Sequence, residues 1–301
     1  MWPVVTFTNN QGTMVEFPKA TSYEYGLAYQ LEQAEKHRHR HENHWKPRIA
    51  LAHTLIDRHV LPRLDGVAAS DIKTLDVGCS IGTMAIEMAL RGFTACGVDF
   101  DSSALDIART LAHEERVNVQ FFQCDVADLG TFSDTLFDIA ICFDIFEHLH
   151  DDELGAFLQF VRRRLSSRGA LVFYTFPLQF DYLFFSRDLL HWPLALVKWL
   201  PSRWFERVVR AYAAIIDACL LIGTGRSYKE RIAGLPHCNP TTMARLRGIL
   251  ERAGFSIEFI ETENIYPFKR YVADRFLKQP IAHRNLYGVA RPAAIQSSGT
   301  L

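Results

Sequence analysis

An acid, a hydroxyl and two glycines alternate along one short run of this sequence, Asp76-x-Gly78-x-Ser80-x-Gly82. An apolar stretch precedes the run, and a helical pattern follows it. Glycine lets a backbone approach a ligand closely, and the first N–H groups of a helix are available to a polar ligand. The run therefore predicts a ligand-binding turn between a strand and a helix.

The fingerprint of dinucleotide-binding proteins, G-x-G-x-x-G, is not met at this turn. Gly78 and Gly82 are four residues apart, and Ser80 stands between them. A dinucleotide cofactor is therefore disfavoured.

Residues 78–82 also read G-x-S-x-G, the nucleophile elbow of α/β-hydrolases, in the strand–turn–helix context that the elbow needs. Ser80 would be the nucleophile, and Asp125 and His237 follow it in the order of the acid and the histidine of that fold. Two observations weigh against such a serine esterase. Residues 1–71 contain no β/α series ahead of the elbow, and the chain has no H-G-G-G-like segment for an oxyanion hole.

Further acids stand where predicted strands end. Asp99 closes a second strand, 23 residues after Asp76. A carboxylate in this place can accept two hydrogen bonds from the hydroxyls of a ribose. Asp125 follows a third strand. A fourth, very apolar strand begins at Phe137, and the segment after it ends in the letters EHL at residue 149.

These segments, in this order, resemble the class I S-adenosylmethionine (SAM)-dependent methyltransferases. The resemblance is close over residues 72–176 and looser over residues 240–291. It implies a seven-stranded, mostly parallel sheet whose last strand is antiparallel, with ligands outside the carboxyl ends of the strands. The cofactor-binding residues that it implies are Asp76, Gly78, Ser80, Gly82, Asp99, Asp125 and Asp144.

The resemblance also implies a role for each of these residues. The glycine turn would hold the amino-acid end of SAM, with Asp144 beside it. Asp99 would bind the ribose, and Asp125 would lie near the adenine amino group. Ser80 replaces the middle glycine of the family's motif. The cofactor would leave as S-adenosylhomocysteine (SAH).

Glu147 and His148 follow the fourth strand, where the methyl group of SAM would lie. Methyl transfer from a sulfonium is an in-line displacement, so the enzyme mainly positions the two reactants. Many acceptors must also lose a proton, and a histidine or a partly buried glutamate suits that task near neutral pH. We therefore expect Glu147 and His148 to be catalytic; the alternative is that they stabilise the helix that starts near residue 151. His150, beside two aspartates, is expected to be solvated.

Four histidines at residues 37–44 invite a metal interpretation. Arg38 and Arg40 stand among them and add positive charge where a cation would bind. The six cysteines form no C-x-x-C pair, and most lie in predicted strands, which is typical of core residues in a reducing compartment. No metal site is predicted.

Composition narrows the class of protein. The 301 residues carry a formal net charge of -1, and 49% of them are hydrophobic. This balance disfavours nucleic-acid binding through phosphate neutralisation and argues against global disorder. No apolar stretch approaches the roughly 20 residues that span a bilayer, and no signal peptide is recognised. We expect a cytoplasmic protein.

The elements that position these residues follow from periodicity. Strands alternate with single helices from residue 72, which predicts an α/β, Rossmann-like, doubly wound sheet. Residues 22–63 are predicted to be helical, with Leu27, Leu31 and Ala34 at helical spacing. The resemblance to the methyltransferases implies that these helices form a lid over SAM. Ser103, three residues before an acid, predicts the cap of the helix at residues 104–113.

Aromatic residues and prolines interrupt the alternation after the fifth strand. Three tryptophans lie among basic residues between positions 192 and 210. This segment predicts a substrate cap, a packed helical cap without ligand contact, or a membrane-surface contact through residues 180–222. Ala211–Gly225, which is mostly apolar, is predicted to be a buried cap helix.

The complete prediction is a methyltransferase that moves a methyl group from SAM to an O, less readily an N or C, of a small lipophilic acceptor. A serine esterase using Ser80 and a non-catalytic SAM-binding partner protein are the alternatives. The protein is expected to be cytoplasmic, with peripheral membrane contact as an option. The predicted units are an N-terminal extension and lid (1–66), a SAM-binding core (67–176), a cap insertion (177–236), the rest of the core (237–292) and a flexible tail (293–301).

Overall fold

The computed structural model describes most of the chain. The described residues are 5–8, 14–17, 26–124, 135–182, 192–233, 235–266 and 277–293. The predicted adenine-side acid, Asp125, lies outside the described residues, as does most of the predicted tail.

Two sheets contain the strands of the described part of the chain. These strands are β1 (Val5–Thr8), β2 (Met14–Phe17), β3 (Lys73–Val77), β4 (Thr94–Asp99), β5 (Val119–Gln123), β6 (Phe137–Phe143), β7 (Leu165–Thr175), β8 (Phe255–Glu263) and β9 (Asn285–Pro292). The first two pair with each other, and the other seven form one sheet in the order β5-β4-β3-β6-β7-β9-β8. Strands β3 to β7 are parallel, and β9 is antiparallel to both of its neighbours. The predicted Rossmann-like, mostly parallel, seven-stranded α/β fold is confirmed.

Helices cover both faces of the large sheet. They are α1 (Leu27–Arg38), α2 (Trp45–Leu55), α3 (Thr83–Leu90), α4 (Ser102–Glu114), α5 (Asp151–Arg164), α6 (Ser202–Thr224), α7 (Tyr228–Ile232) and α8 (Met243–Arg252). Short 3-10 turns at Phe146–His148 and Trp192–Val197 follow β6 and precede α6. None of the described helices is long and apolar enough to cross a membrane.

Strand β6 shows how the sheet is buried. Ile139 and Ile141 belong to one hydrophobic core with helix α2, whereas Ala140 and Cys142 belong to another with helices α5 and α8. Side chains alternate between the faces of a strand, so a strand covered on both faces needs an apolar residue at every position. The apolar run over residues 139–143, which follows Asp138, thus reflects two layers of helices.

Helix α1 turns a polar face inward, contrary to prediction. Leu27 and Leu31 are exposed, while Gln30, Gln33 and His37 are buried. Of the three apolar residues at helical spacing only Ala34 is buried, so the expected apolar face was wrong at the two leucines. The reason is that α1 covers the polar loops at the carboxyl end of the sheet, where buried side chains must supply hydrogen bonds.

Buried charges fasten the end of α1 to the sheet layer. Arg40 is paired with the buried Glu87 of α3 and, at 2.7 Å, with Glu115. His37 Nδ1 lies 3.1 Å from the hydroxyl of Thr83. The histidine-rich segment therefore joins the N-terminal helices to α3 and α4. The helix ends at Arg38, before the rest of the histidines.

Helix α6 is buried through its first half. Phe205 and Val209 pack in a cluster with Phe180 and Leu194, which lie before the helix. Ile215 and Ile222 in the second half are exposed, so the prediction that Ala211–Gly225 is a buried cap helix was wrong. The apolar sequence there does not reflect burial within the described part of the chain.

The cap of helix α4 is Asp101 and not Ser103. The Asp101 carboxylate accepts hydrogen bonds from the backbone N–H of Ser103 at 2.9 Å and of Ala104 at 3.3 Å. The Ser103 hydroxyl itself donates to Asp101, at 2.6 Å. The expected capping role of Ser103 was wrong because the helix begins at Ser102, two residues before the predicted start at residue 104. His150 was also misjudged: it is buried and caps α5.

Loss of the Asp101 carboxylate should destabilise the fold more than loss of the Ser103 hydroxyl. We expect Asp101→Ala to lower the free energy of unfolding by about 1 kcal/mol, the usual effect of removing an N-cap. Ser103→Ala should lower it by less than about 0.5 kcal/mol, since no cap is lost. Urea unfolding followed by circular dichroism measures both values. A larger loss in Ser103→Ala would reinstate Ser103 as the cap.

Candidate active site

A cavity of about 300 Å³ lies where strands β3, β4 and β6 end. The chain continues from β3 outward to β4 and β5, and then returns to place β6 on the other side of β3. Ligands of open α/β sheets bind at such a reversal of strand order. Helices α1 and α2 supply the opposite wall, through residues that include Gln30, Trp45 and Arg48.

The glycine turn after β3 forms one wall of the cavity. Gly78 and Ser80 both line it, and both have positive φ, 72° and 48°. A Cβ on Gly78 would lie 2.6 Å from the Ile145 side chain. Gly82, at φ 79°, serves packing: a Cβ there would lie 2.7 Å from the Phe121 ring, and the residue is not part of the cavity wall.

Asp99 holds the turn in place. Its Oδ2 accepts a hydrogen bond from the Ser80 N–H at 2.7 Å, and its Oδ1 accepts one from the Asp101 N–H at 3.0 Å. Burial raises the pKa of Asp99. The carboxylate therefore connects β3, β4 and the start of α4 at the cavity wall.

Asp76 lies deeper than Asp99. Its Oδ2 accepts a hydrogen bond from the Ala85 N–H, in the first turn of α3, at 3.1 Å. Burial raises the pKa of Asp76 to about 7. The structure thus brings Asp76, Gly78, Ser80 and Asp99 together along one wall, as the sequence predicted.

Helix α1 closes this wall through a glutamine. Gln30 Nε2 donates to Asp101 at 2.9 Å, and the Ser80 hydroxyl lies 3.5 Å from Gln30 Oε1. Sequence reasoning missed Gln30 and its neighbour Gln33. Two glutamines three residues apart lie on one face of a helix, and this spacing could have indicated a polar inner face.

An ion pair marks the other end of the cavity. Arg48 Nε lies 2.8 Å from Asp144 Oδ2, and Arg48 Nη2 donates to Asp144 Oδ1 at 3.2 Å. The guanidinium also lies over the rings of Trp45, Tyr174 and Tyr266, at 5.4 to 5.6 Å from their centroids. Burial disfavours the charged guanidinium, but the Asp144 carboxylate outweighs burial and raises the pKa of Arg48. Sequence reasoning missed Arg48, which is 96 residues from Asp144.

Glu147 and His148 lie in the 3-10 turn after β6 and line the cavity. Glu147 Oε2 accepts a hydrogen bond from the Thr175 hydroxyl at 2.7 Å, whereas Oε1 is buried without a hydrogen-bond partner among the described residues. Burial and the nearby Asp144 raise the pKa of Glu147 well above its ordinary value. Burial therefore favours the uncharged carboxyl group, and Oε1 is the atom left to a ligand.

His148 has a defined tautomer. Its Nδ1 lies 2.6 Å from the carbonyl oxygen of Pro236, which can only accept, so Nδ1 carries the hydrogen and donates. Nε2 then keeps its lone pair. Burial lowers the pKa of His148, so this lone pair is available at neutral pH.

His237 joins the same end of the cavity. Its ring lies 5.0 Å from that of His148 and 6.0 Å from that of Phe176, between centroids. Ligand atoms of Glu147, His148 and His237 all lie within 4.8 Å of one another, so this group can also hold a cation. Within the described ranges, the histidines at residues 37–44 form no such cluster.

A family model described as a methyltransferase domain matches residues 74–169. This range contains the glycine turn, Asp99, Asp144, Glu147 and His148. Residues 74–169 are a class I SAM-dependent methyltransferase domain.

Relatives of the methyltransferase domain include ubiquinone biosynthesis O-methyltransferases. That of Rickettsia akari is 35% identical over 80 residues, which is 27% of this chain and 31% of that protein. That of Acinetobacter baylyi is 38% identical over 80 residues, which is 26% of this chain and 34% of that protein. The chain thus aligns with only about a third of the length of these relatives.

Solved structures share the fold over more of the chain. A SAM-dependent methyltransferase from Clostridium acetobutylicum covers 89% of this chain and 100% of its own, at 11% identity and a TM-score of 0.53. One from Methanosarcina mazei covers 77% of this chain and 97% of its own, at 16% identity and a TM-score of 0.50. At such identities the likeness concerns the fold.

The described residues do not form the catalytic arrangement that the serine-hydrolase alternative requires. The partner of the Ser80 hydroxyl among the described residues is Gln30, at 3.5 Å, and not a histidine. His237 lies against His148 and Phe176. A serine nucleophile needs its base within hydrogen-bond reach, and Ser80 has none there.

Ser80 and Gly82 should respond differently to substitution, although both have positive φ. We expect Ser80→Gly to change the free energy of unfolding by less than about 1 kcal/mol, because glycine accepts this backbone without strain. Gly82→Ala should lower it by at least about 2 kcal/mol, because the new Cβ meets the Phe121 ring at 2.7 Å. Thermal unfolding compares the two variants. Equal midpoints would contradict the packing role of Gly82.

Proposed function

We propose that this chain transfers the methyl group of SAM to an oxygen of a small, lipophilic acceptor. The observation that carries the proposal is His148, which lines the cavity with a free Nε2 lone pair beside the buried Glu147. A base in this place suits an acceptor hydroxyl, which must lose its proton as the methyl group arrives. An acceptor nitrogen or carbon is the less favoured target.

The cavity wall fits the cofactor. Asp99 is a buried carboxylate at the end of β4, in the place that takes ribose hydroxyls in related folds. Arg48 and Asp144 offer one charge of each sign to an amino-acid end, which also carries both. Gly78 and Ser80 line the same cavity. When bound there, SAM supplies an electrophilic methyl group on a sulfonium.

His148 acts as the general base in this proposal. Its Nδ1–H is fixed on the Pro236 carbonyl, so the ring is oriented and Nε2 can accept the acceptor's proton. Glu147 is held by Thr175 and offers Oε1 to the acceptor oxygen as a hydrogen-bond partner. Both residues then position the hydroxyl, and His148 Nε2 takes its proton.

Aromatic and imidazole rings line the cavity. They belong to Phe176, His237, Trp45 and Phe143, and such walls suit a planar or lipophilic molecule. The relatives are O-methyltransferases by name, which supports oxygen as the receiving atom. The balanced charge of the chain supports a small molecule over a nucleic acid.

Binding of SAH should depend on Asp99. We expect calorimetric titration to show one site in the wild-type chain and at least about tenfold weaker binding in Asp99→Ala, because a buried hydrogen-bond acceptor for the ribose is lost. Asp106→Ala, an exposed acid on α4, is the control and should bind as the wild type does. Absence of SAH binding to the folded wild-type chain would contradict the proposed cofactor site. Binding without transfer to any acceptor would favour the non-catalytic alternative.

His148→Gln should lower kcat by about 10²- to 10⁴-fold while leaving SAH binding intact, since only the base is removed. SAH release is measured with a panel of hydroxylated lipophilic compounds. In the wild type, kcat should stay level from pH 8 to pH 6.5 and fall only below the ordinary histidine range of about 6.5, because burial lowers the pKa of His148 and the base must be neutral.

His113→Gln, on the exposed side of α4, is the matched control and should keep both rate and pH profile. A chelator should leave the wild-type rate unchanged. If the chelator abolishes transfer and Mg²⁺ restores it, the Glu147–His148–His237 group is a metal site and the base assignment is wrong.

A further inference from the structure

Helix α6 and the turn before it present large apolar side chains to solvent. The exposed fractions are 80% for Leu196, 76% for Trp199, 47% for Trp204, 60% for Ile215 and 86% for Ile222. We call these five residues the cap face. Soluble proteins seldom expose a group of this kind unless something binds to it.

The cap-face residues of helix α6 belong to one continuous exposed stripe, which two alanines complete. Trp204, Ala211, Ile215, Ala218 and Ile222 are spaced by seven, four, three and four residues, which places them on one side of α6. All five are exposed, whereas Phe205 and Val209 on the other side are buried. The 23-residue helix is about 35 Å long, so the stripe runs over most of that length.

Basic side chains accompany the first part of the cap face. Residues 192–212 contain four basic side chains and one acidic one, which gives a local charge of +3 against -1 for the whole chain. The Arg207 guanidinium lies 4.6 Å from the centroid of the Trp204 ring, and that of Arg203 lies 6.0 Å from it. Tryptophan beside arginine, with an apolar stripe below, is the composition of helices that lie in the headgroup layer of a membrane.

We propose that the cap face binds the surface of a bilayer that contains anionic phospholipids. Charge complementarity selects this occupant, since Lys198, Arg203 and Arg207 would meet lipid phosphates. A second copy of the chain, docked by the same face, would bring these cations against their own equivalents. The inference stands independently of the proposed methyl transfer.

The helix would lie on the membrane and stay attached to the fold. Phe205 and Val209 remain in their cluster, and Asp217 is paired with Arg231 at 2.8 Å, which ties the second half of α6 to α7. Neither contact uses a residue of the cap face. Docking therefore needs no rearrangement of the cap.

Vesicle sedimentation tests the proposal. The probes are vesicles of phosphatidylcholine alone and of equimolar phosphatidylcholine and phosphatidylglycerol. We expect the wild type to bind the anionic vesicles at least about tenfold more tightly, with the difference shrinking in high salt. Trp199→Ala/Trp204→Ala should weaken binding by about tenfold or more. Lys198→Gln/Arg203→Gln/Arg207→Gln should weaken it on the order of a hundredfold.

Leu27→Ala/Leu31→Ala removes two exposed leucines from α1 and is the matched control; it should bind as the wild type does. SAH titration of every variant shows whether the cofactor cavity is intact, so failure of docking and failure of the proposed reaction are told apart. The proposal is overturned if the wild type does not bind anionic vesicles. It is equally overturned if the tryptophan variant and the Lys198/Arg203/Arg207 variant both bind as the wild type does. It is also overturned if light scattering shows a wild-type dimer that Trp199→Ala/Trp204→Ala converts to a monomer.

Discussion

The hydrogen bond from the Ser80 N–H to Asp99, at 2.7 Å, is the contact on which the candidate site depends. It joins the turn after β3 to the end of β4, and the same carboxylate receives the Asp101 N–H that starts α4. A buried carboxylate is stable only where donors satisfy it, so the loops must take the conformations that aim their N–H groups at Asp99. The positive φ of Ser80 is part of that arrangement. The conformation of the cavity wall thus follows from the need of the buried Asp99 carboxylate for hydrogen-bond donors.

The polar inner face of α1 has the same cause, because the buried polar groups beneath it also need hydrogen-bond partners. A helix that covers buried acids and loop amides must bring donors and acceptors, and Gln30 supplies both, to Asp101 and to the Ser80 hydroxyl. Hydrophobic periodicity finds the face that packs on an apolar layer, so it selected Leu27 and Leu31 instead. The rule failed at these two leucines because much of what lies beneath α1 is polar, although Ala34 packs in an apolar cluster with Ile81 and Ala85. A helix next to a ligand site is where such failure is expected.

The strands could be predicted because burial on both faces leaves a continuous apolar run, as in β6. The glycine turn could be predicted because its residues are neighbours in sequence. The pairs Arg48–Asp144 and His148–His237 could not be predicted. Each joins residues about 90 or more positions apart, so no local sequence pattern indicates the contact. The second half of α6 is a further case: an apolar helix side looks the same in sequence whether protein, lipid or water covers it.

Burial raises the pKa of Glu147 and lowers the pKa of His148, so in each case it favours the uncharged form. In the proposed reaction the uncharged form of His148 matters because a bound sulfonium would already carry a positive charge and would repel an imidazolium beside it. With SAM bound, His148 would gain the acceptor's proton while the positive charge of the sulfonium is lost. The positive charge would therefore be relocated within the cavity and not created there. A low-dielectric site tolerates such a shift far better than the formation of a new charge, which explains why a buried histidine suits this position.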